Sequence, residues 1–180
     1  MIRHIRESEG DGALEGVVEK ADNPYVRTVF AEEIRPLSWY HYSAFASFLQ
    51  SCANVFGKGN LSYCRGLGRG AGRRDLNTVF KLILRLRDPE GLITACSRVW
   101  ESYYRECGHM DALSTSPDNT VLRIYDFKRM HPAHCQLMIG WMEQAMQLIG
   151  CEVSDDAHES RCMCRGDAFH EFVCTWTRVP

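Results

Sequence analysis

The sequence predicts an α+β fold, in which a helical layer packs on an antiparallel sheet and the last helix is followed by a β-hairpin. Three observations carry that prediction. Apolar residues recur at helical spacing over 39–56, 89–107 and 132–149. The stretch 120–127 reads as a strand, and two further strand-like runs flank the turn signal Arg165-Gly166-Asp167. Helices that cover one face of such a sheet are the economical layer packing.

The chain has 180 residues, 45% of them hydrophobic and 24% charged, with a formal net charge of −2. This is enough chain for one domain with a real core. The charge balance argues against nonspecific attraction to nucleic acid or membrane. No apolar run reaches the length of a membrane span, and the start MIRHIRESEGDGALEG is unlike a signal peptide. Nine cysteines, an odd number, fit reduced thiols in a cytoplasm better than a disulfide framework. The expected organisation is a loosely ordered segment over 1–20 and a single domain over 21–180.

Taken in order, residues 1–12 are polar. Short β-branched runs at 16–19 and 25–30 read as strands, with Asn23-Pro24 as the turn between them. Pro36 and Ser38 introduce a helix over 39–56 that carries Phe45, Phe48, Leu49, Cys52, Val55 and Phe56 on one stripe, and Gly57 stops it. The run CRGLGRGAGRRD that follows resembles a phosphate cradle. It lacks a hydrophobic strand before it and a Lys-Ser or Lys-Thr pair after it, so it reads as a glycine-rich bend that lets helices approach, with solvated arginines.

Asp75 caps an expected helix to about residue 86, with Val79, Phe80, Ile83 and Leu84 as its buried side. The helix over 89–107 has an unusually aromatic stripe. Trp100, Tyr103 and Tyr104 offer flat apolar walls with polar tips, the composition expected around an enclosed apolar ligand, and Phe127 and Trp141 join them as ligand-binding candidates; a plain aromatic core is the other reading. Residues 114–119 read as a loop.

The last third gathers the chemistry. Leu137, Met138, Trp141, Met142, Ala145, Leu148 and Ile149 recur at helical spacing, Pro132 sits where a first-turn proline is tolerated, and Gly150 ends the run. In the final strand His170, Phe172, Cys174 and Trp176 share one face. Centring the hairpin on Gly166 sets Cys162 opposite His170 with Cβ atoms about 5 Å apart. Cys135 opens the preceding helix, and Glu159 and His158 lie just upstream of Cys162. Thiolate, imidazole and carboxylate together suit zinc. Cys162 and His170 would equally serve as ordinary core packing, because no CxxC pair occurs. In a regular strand Glu159 points away from Cys162, so a bulge is needed to bring it in.

This segment resembles the 4-vinyl-reductase domain, a small-molecule-binding module of tetrapyrrole reductase accessory proteins and aromatic-responsive transcription activators. The likeness rests on Cys135, Gly140, Glu159-Ser160-Arg161-Cys162, Gly166-Asp167, and His170 with Phe172. It is good over about 118–176 and general before that, where Leu67-Gly68-Arg69 and the helix over 100–108 are similar to a myxobacterial set of uncharacterised proteins. The resemblance implies a structural zinc on Cys135, Glu159, Cys162 and His170, with His170 standing where the family has cysteine and with Cys164 or His158 as substitutes. It also implies a ligand cavity between the helical layer and the sheet, and wider fold relatives among TRAPP-type trafficking subunits and haem-nitric-oxide-binding domains.

The function expected from this reading is a non-enzymatic sensory domain of bacterial signalling that holds a small hydrophobic molecule, acting on a partner protein or as a homodimer. The alternatives are an interaction scaffold like the trafficking subunits and an accessory enzyme of tetrapyrrole reduction. The enzyme stands last, because neither a nicotinamide nor a flavin fingerprint occurs. Haem is not expected. The haem-binding relatives hold the propionates with a Tyr-x-Ser-x-Arg triplet that this chain lacks, which leaves His109, His131 and His134 as bare ligand candidates.

Overall fold

The computed structural model describes residues 1–10, 12–32, 34–35, 38–78, 89–116 and 118–179. Seven helices are seen among them: α1 (Ile2–Glu9), α2 (Ala13–Glu19), α3 (Tyr25–Ala31), α4 (Tyr42–Val55), α5 (Tyr63–Asn77), α6 (Pro89–Tyr103) and α7 (Pro132–Leu148). Five strands accompany them: β1 (His109–Ser116), β2 (Asn119–Tyr125), β3 (Cys151–Val153), β4 (His158–Arg161) and β5 (His170–Arg178). Every pairing is antiparallel, in the order β1-β2-β5-β3, and β4 also pairs with β5. The α+β layering expected from sequence is what the chain adopts.

α7 is the axis of the molecule. Almost every residue from Ala133 to Met146 is buried, because one side faces the sheet and the other faces the helical layer. Its sheet side joins a core of α6, β2 and β5 residues that includes Trp100, Leu122, Ile124, Phe172 and Trp176. Its other side, through Ala133 and Leu137, closes a second core built from α1 to α5.

The N-terminal third departs from the expectations. The 1–20 stretch carries α1 and α2, and Ile5, Leu14 and Val17 are buried. The β-branched runs at 16–19 and 25–30 are helical, not strands. Leu14, Val17 and Val26 join the core that holds the buried face of α4, and burial on a helix outweighs a propensity of a few tenths of a kcal/mol.

The glycine-rich run is not a bend either. It forms the body of α5, and glycine costs a helix about 1 kcal/mol per residue relative to alanine. Contact with α7 explains the choice: a Cβ on Gly68 would collide with the Leu137 carbonyl, and one on Gly140 with the Arg65 carbonyl. The glycines do let helices approach closely, but along a continuous helix and not at a bend.

Asp75 lies within α5 and does not cap a helix. Val79, Phe80, Ile83 and Leu84, with Pro36, lie outside the described residues. The expected loop over 114–119 is shorter, since β1 reaches Ser116 and β2 starts at Asn119. β1 is an edge strand rich in polar residues, which hides it from a hydrophobicity pattern. No helix among the described residues is long and apolar enough to cross a membrane.

Candidate metal centre and cavity

Cys135, Glu159, Cys162 and His170 converge, with one donor atom from each lying within 4.8 Å of all the others. Four local features bring them there. His131 caps α7 by accepting from Ala133 N–H at 3.2 Å, and this sets Cys135 in the first turn. β5 turns His170 to the buried face that it shares with Phe172, Cys174 and Trp176. The β4–β5 ladder slips between Glu159 and Arg161, which is the bulge Glu159 requires to join the same side as Cys162. After Cys162 a 3-10 turn over Met163–Arg165 ends at Gly166, whose φ of 96° suits glycine, and the Asp167 carboxylate accepts from Cys162 N–H at 2.7 Å.

The hydrogen bonds fix which atoms face inward. His170 Nε2 lies 3.3 Å from the Phe127 carbonyl, which can only accept, so that nitrogen carries the proton and Nδ1 turns a lone pair toward the cluster. Nδ1 is 3.0 Å from Glu159 Oε1 and 3.9 Å from Cys135 Sγ. A tetrahedral zinc with these donor types has edges of ~3.5 Å, between those two values. Glu159 Oε2 pairs with Arg165 at 3.6 Å.

Burial, and then the Glu159 charge, push the Cys135 thiol up; burial also pushes Cys162 up, to about 11. Burial opposes ionisation of Glu159 as well, yet hydrogen bonds donated by the Cys135 and Cys162 thiols hold it below the usual carboxylate value. Without a cation the site is therefore two neutral thiols around one carboxylate. Cys164 is exposed and donates to the Met130 carbonyl, while His158 is exposed beside the Asp156 carbonyl; neither belongs to the four-atom cluster.

The ligand-binding candidates divide. Trp100, Tyr103, Tyr104 and Trp141 line one cavity of about 440 Å³, together with aliphatic, Met and Cys side chains and with Arg35 and Asp75 as its charged members. Burial raises the Asp75 carboxyl, which accepts from Tyr103 and Trp141. Phe127 stands behind the wall instead. Its ring lies edge-on to Tyr42 at 4.6 Å and to Trp100 at 6.0 Å, while its carbonyl holds His170.

Two polar groups that the sequence reading did not place are central. His134 is fully buried, with Nδ1 3.2 Å from the Tyr42 hydroxyl and Nε2 2.7 Å from the Tyr104 hydroxyl. Burial lowers its pKa to about 3, so it is neutral. Glu143, mid-way along α7, is buried between Arg65 and Arg69 of α5, so two of the arginines expected to be solvated hold a core carboxylate instead. Their spacing of four along α5 was the available signal.

Neither a protein-family model nor a curated protein sequence matches this chain. Solved structures do. An H-NOX protein from K. algicida in the Fe(II) unliganded state aligns with a TM-score of 0.71 at 8% identity, over 99% of this chain and 93% of that one. A triple mutant of an H-NOX protein from S. oneidensis aligns at 0.65 and 16% identity over 99% and 92%. A structure from a study of haem distortion in the H-NOX family aligns at 0.62 and 14% identity over 99% and 91%. At these identities the likeness establishes the fold, and the fold is that of H-NOX domains.

Proposed function

We propose that this chain is a non-enzymatic regulatory domain that encloses a small apolar molecule, with one structural zinc on Cys135, Glu159, Cys162 and His170. One observation carries the reading: a 440 Å³ aromatic-walled cavity is joined, through the adjacent α7 residues His134 and Cys135, to four convergent metal-ligating atoms. A closed four-donor site leaves no open position for water, so the ion would pin the β4–β5 hairpin to α7 and do no chemistry. The resemblance of Cys135, Gly140, Glu159, Cys162 and Gly166 to the pattern of 4-vinyl-reductase domains points to the same assignment. Capture of a ligand would bias the packing of α6 and α7, and a partner protein would read the change.

The H-NOX fold raises haem, and the residues do not fit it. None of the seven histidines lines the cavity. His134 has both ring nitrogens engaged by tyrosine hydroxyls, His131 caps a helix, and exposed His109 stacks on Tyr125. The spacing of the propionate triplet recurs at Tyr125, Phe127 and Arg129, but its centre is an apolar buried ring and Arg129 is exposed. Asp75 in the cavity wall would repel a propionate.

Two separable losses test the proposal. Trp100→Leu should weaken binding of α-methylstyrene, followed by intrinsic tryptophan fluorescence, and leave zinc content unchanged. Cys162→Ala should remove the zinc. A Soret band in the purified protein, or unchanged zinc in Cys162→Ala, would contradict it.

A further inference from the structure

The chain Tyr42–His134–Tyr104 holds one more hydrogen-bond donor than it uses. His131 N–H points at the Tyr42 hydroxyl oxygen at 2.8 Å, and that oxygen lies 3.2 Å from His134 Nδ1. A neutral imidazole offers one acceptor and one donor. With the Tyr42 oxygen already accepting from the backbone, its O–H is free to serve Nδ1, and the imidazole proton then sits on Nε2. There it donates to the Tyr104 oxygen at 2.7 Å. The sequence of donations runs from His131 through Tyr42 and His134 and stops at Tyr104, whose own phenolic proton has no acceptor among these groups.

Tyr104 is a wall of the cavity, and around it the wall is dominated by rings, aliphatic chains and sulfur. Trp100 packs against it with tilted rings, 4.1 Å between centroids. Trp100 Nε1 is itself buried without a partner, so the neighbouring indole is a second unsatisfied donor and cannot relieve the first. The carboxylate of the wall, Asp75, is engaged by Tyr103 and Trp141. A buried hydroxyl proton left unpaired costs about 1–3 kcal/mol, and an apolar guest that brings an acceptor removes that cost.

We infer that Tyr104 is the specificity-determining donor of the cavity, and that the cavity's ligand is an apolar molecule bearing one hydrogen-bond acceptor such as a carbonyl or ether oxygen. His134 and Tyr42 are positioning residues: they fix the direction in which Tyr104 donates and do not touch the ligand. This rests on the cavity being a ligand site, as proposed above.

The test uses an isosteric pair, acetophenone and α-methylstyrene, which differ by C=O against C=CH₂. The wild-type protein should bind acetophenone about fivefold more tightly, the worth of one net hydrogen bond. Tyr104→Phe should bind both equally, with its α-methylstyrene affinity within about twofold of wild type, which shows the cavity intact. Independently of any ligand, a long-range ¹H–¹⁵N spectrum at neutral pH should show His134 protonated on Nε2 and bare on Nδ1. Equal affinity of the wild type for the two probes, or a proton on Nδ1, would overturn the inference. If neither probe binds while the tautomer is as stated, the ligand reading of the cavity fails and the recognition role of Tyr104 falls with it.

Discussion

His170 is held by bonds of two kinds: its Nε2–H is spent on the Phe127 carbonyl, and its Nδ1 lone pair is kept for the cluster. Replacing it, or Cys162, by alanine should release the ion and lower the melting temperature by several degrees, because a structural metal contributes its binding energy to folding. Cys52→Ala and Cys96→Ala remove equally buried thiols outside the cluster; they should keep full metal content and cost about 1 kcal/mol. Because the Cys135 and Cys162 thiols lie above their ordinary value, zinc must displace their protons, so uptake in unbuffered solution should acidify it and affinity should fall at lower pH. Much of this centre was legible in the sequence. A turn at Gly166 aligns Cys162 with His170, and the need for a bulge near Glu159 follows from strand alternation alone. His134 was not legible as a structural hub, since Tyr42 and Tyr104 lie 92 and 30 residues away and nothing local announces the pairing.

At the scale of elements, the contact of α5 with α7 depends on glycines that a propensity scale penalises. Gly68→Ala and Gly140→Ala both drive a methyl group into a facing carbonyl and should each cost about 1–3 kcal/mol in denaturant unfolding. Gly66 lies on the same helix with open space around it, and Gly66→Ala should stabilise by up to about 1 kcal/mol. Sequence predicts a bend at the glycine run because it shows the cost of glycine and not the neighbour that compensates it.

Glu143 anchors the same contact. Burial alone would raise its pKa, but Arg65 and Arg69 hold it below the ordinary carboxylate value, so the folded state binds this proton less readily than the unfolded chain. Its stabilising effect is therefore complete above the ordinary carboxylate pKa of about 4.3 and disappears as pH falls through the lower folded value. Glu143→Gln should be less stable than wild type at neutral pH and converge toward it in acid, as followed by thermal unfolding across that range.

Across the whole molecule, α7 is shared by everything that matters. Its first turn sets His134 behind the cavity wall, bonded to the wall residue Tyr104, and Cys135 in the cluster, and Phe127 touches the wall with its ring and His170 with its carbonyl. Stripping the metal with a chelator should accordingly weaken α-methylstyrene binding by a few fold, and by reciprocity the bound guest should slow metal loss by the same coupling. The layering, α4 included, was predictable from three periodic stretches and one hairpin, whereas α1 to α3 emerged only through their burial in the core they share with α4 and α5.

Native mass spectrometry of freshly purified protein, beside the same sample denatured in acid, tests the central claim most directly. The account predicts a native mass that exceeds the acid-denatured mass by one zinc ion, and an excess that is lost in Cys162→Ala. A native mass equal to the bare chain would reduce Cys135, Glu159, Cys162 and His170 to core packing and contradict the account.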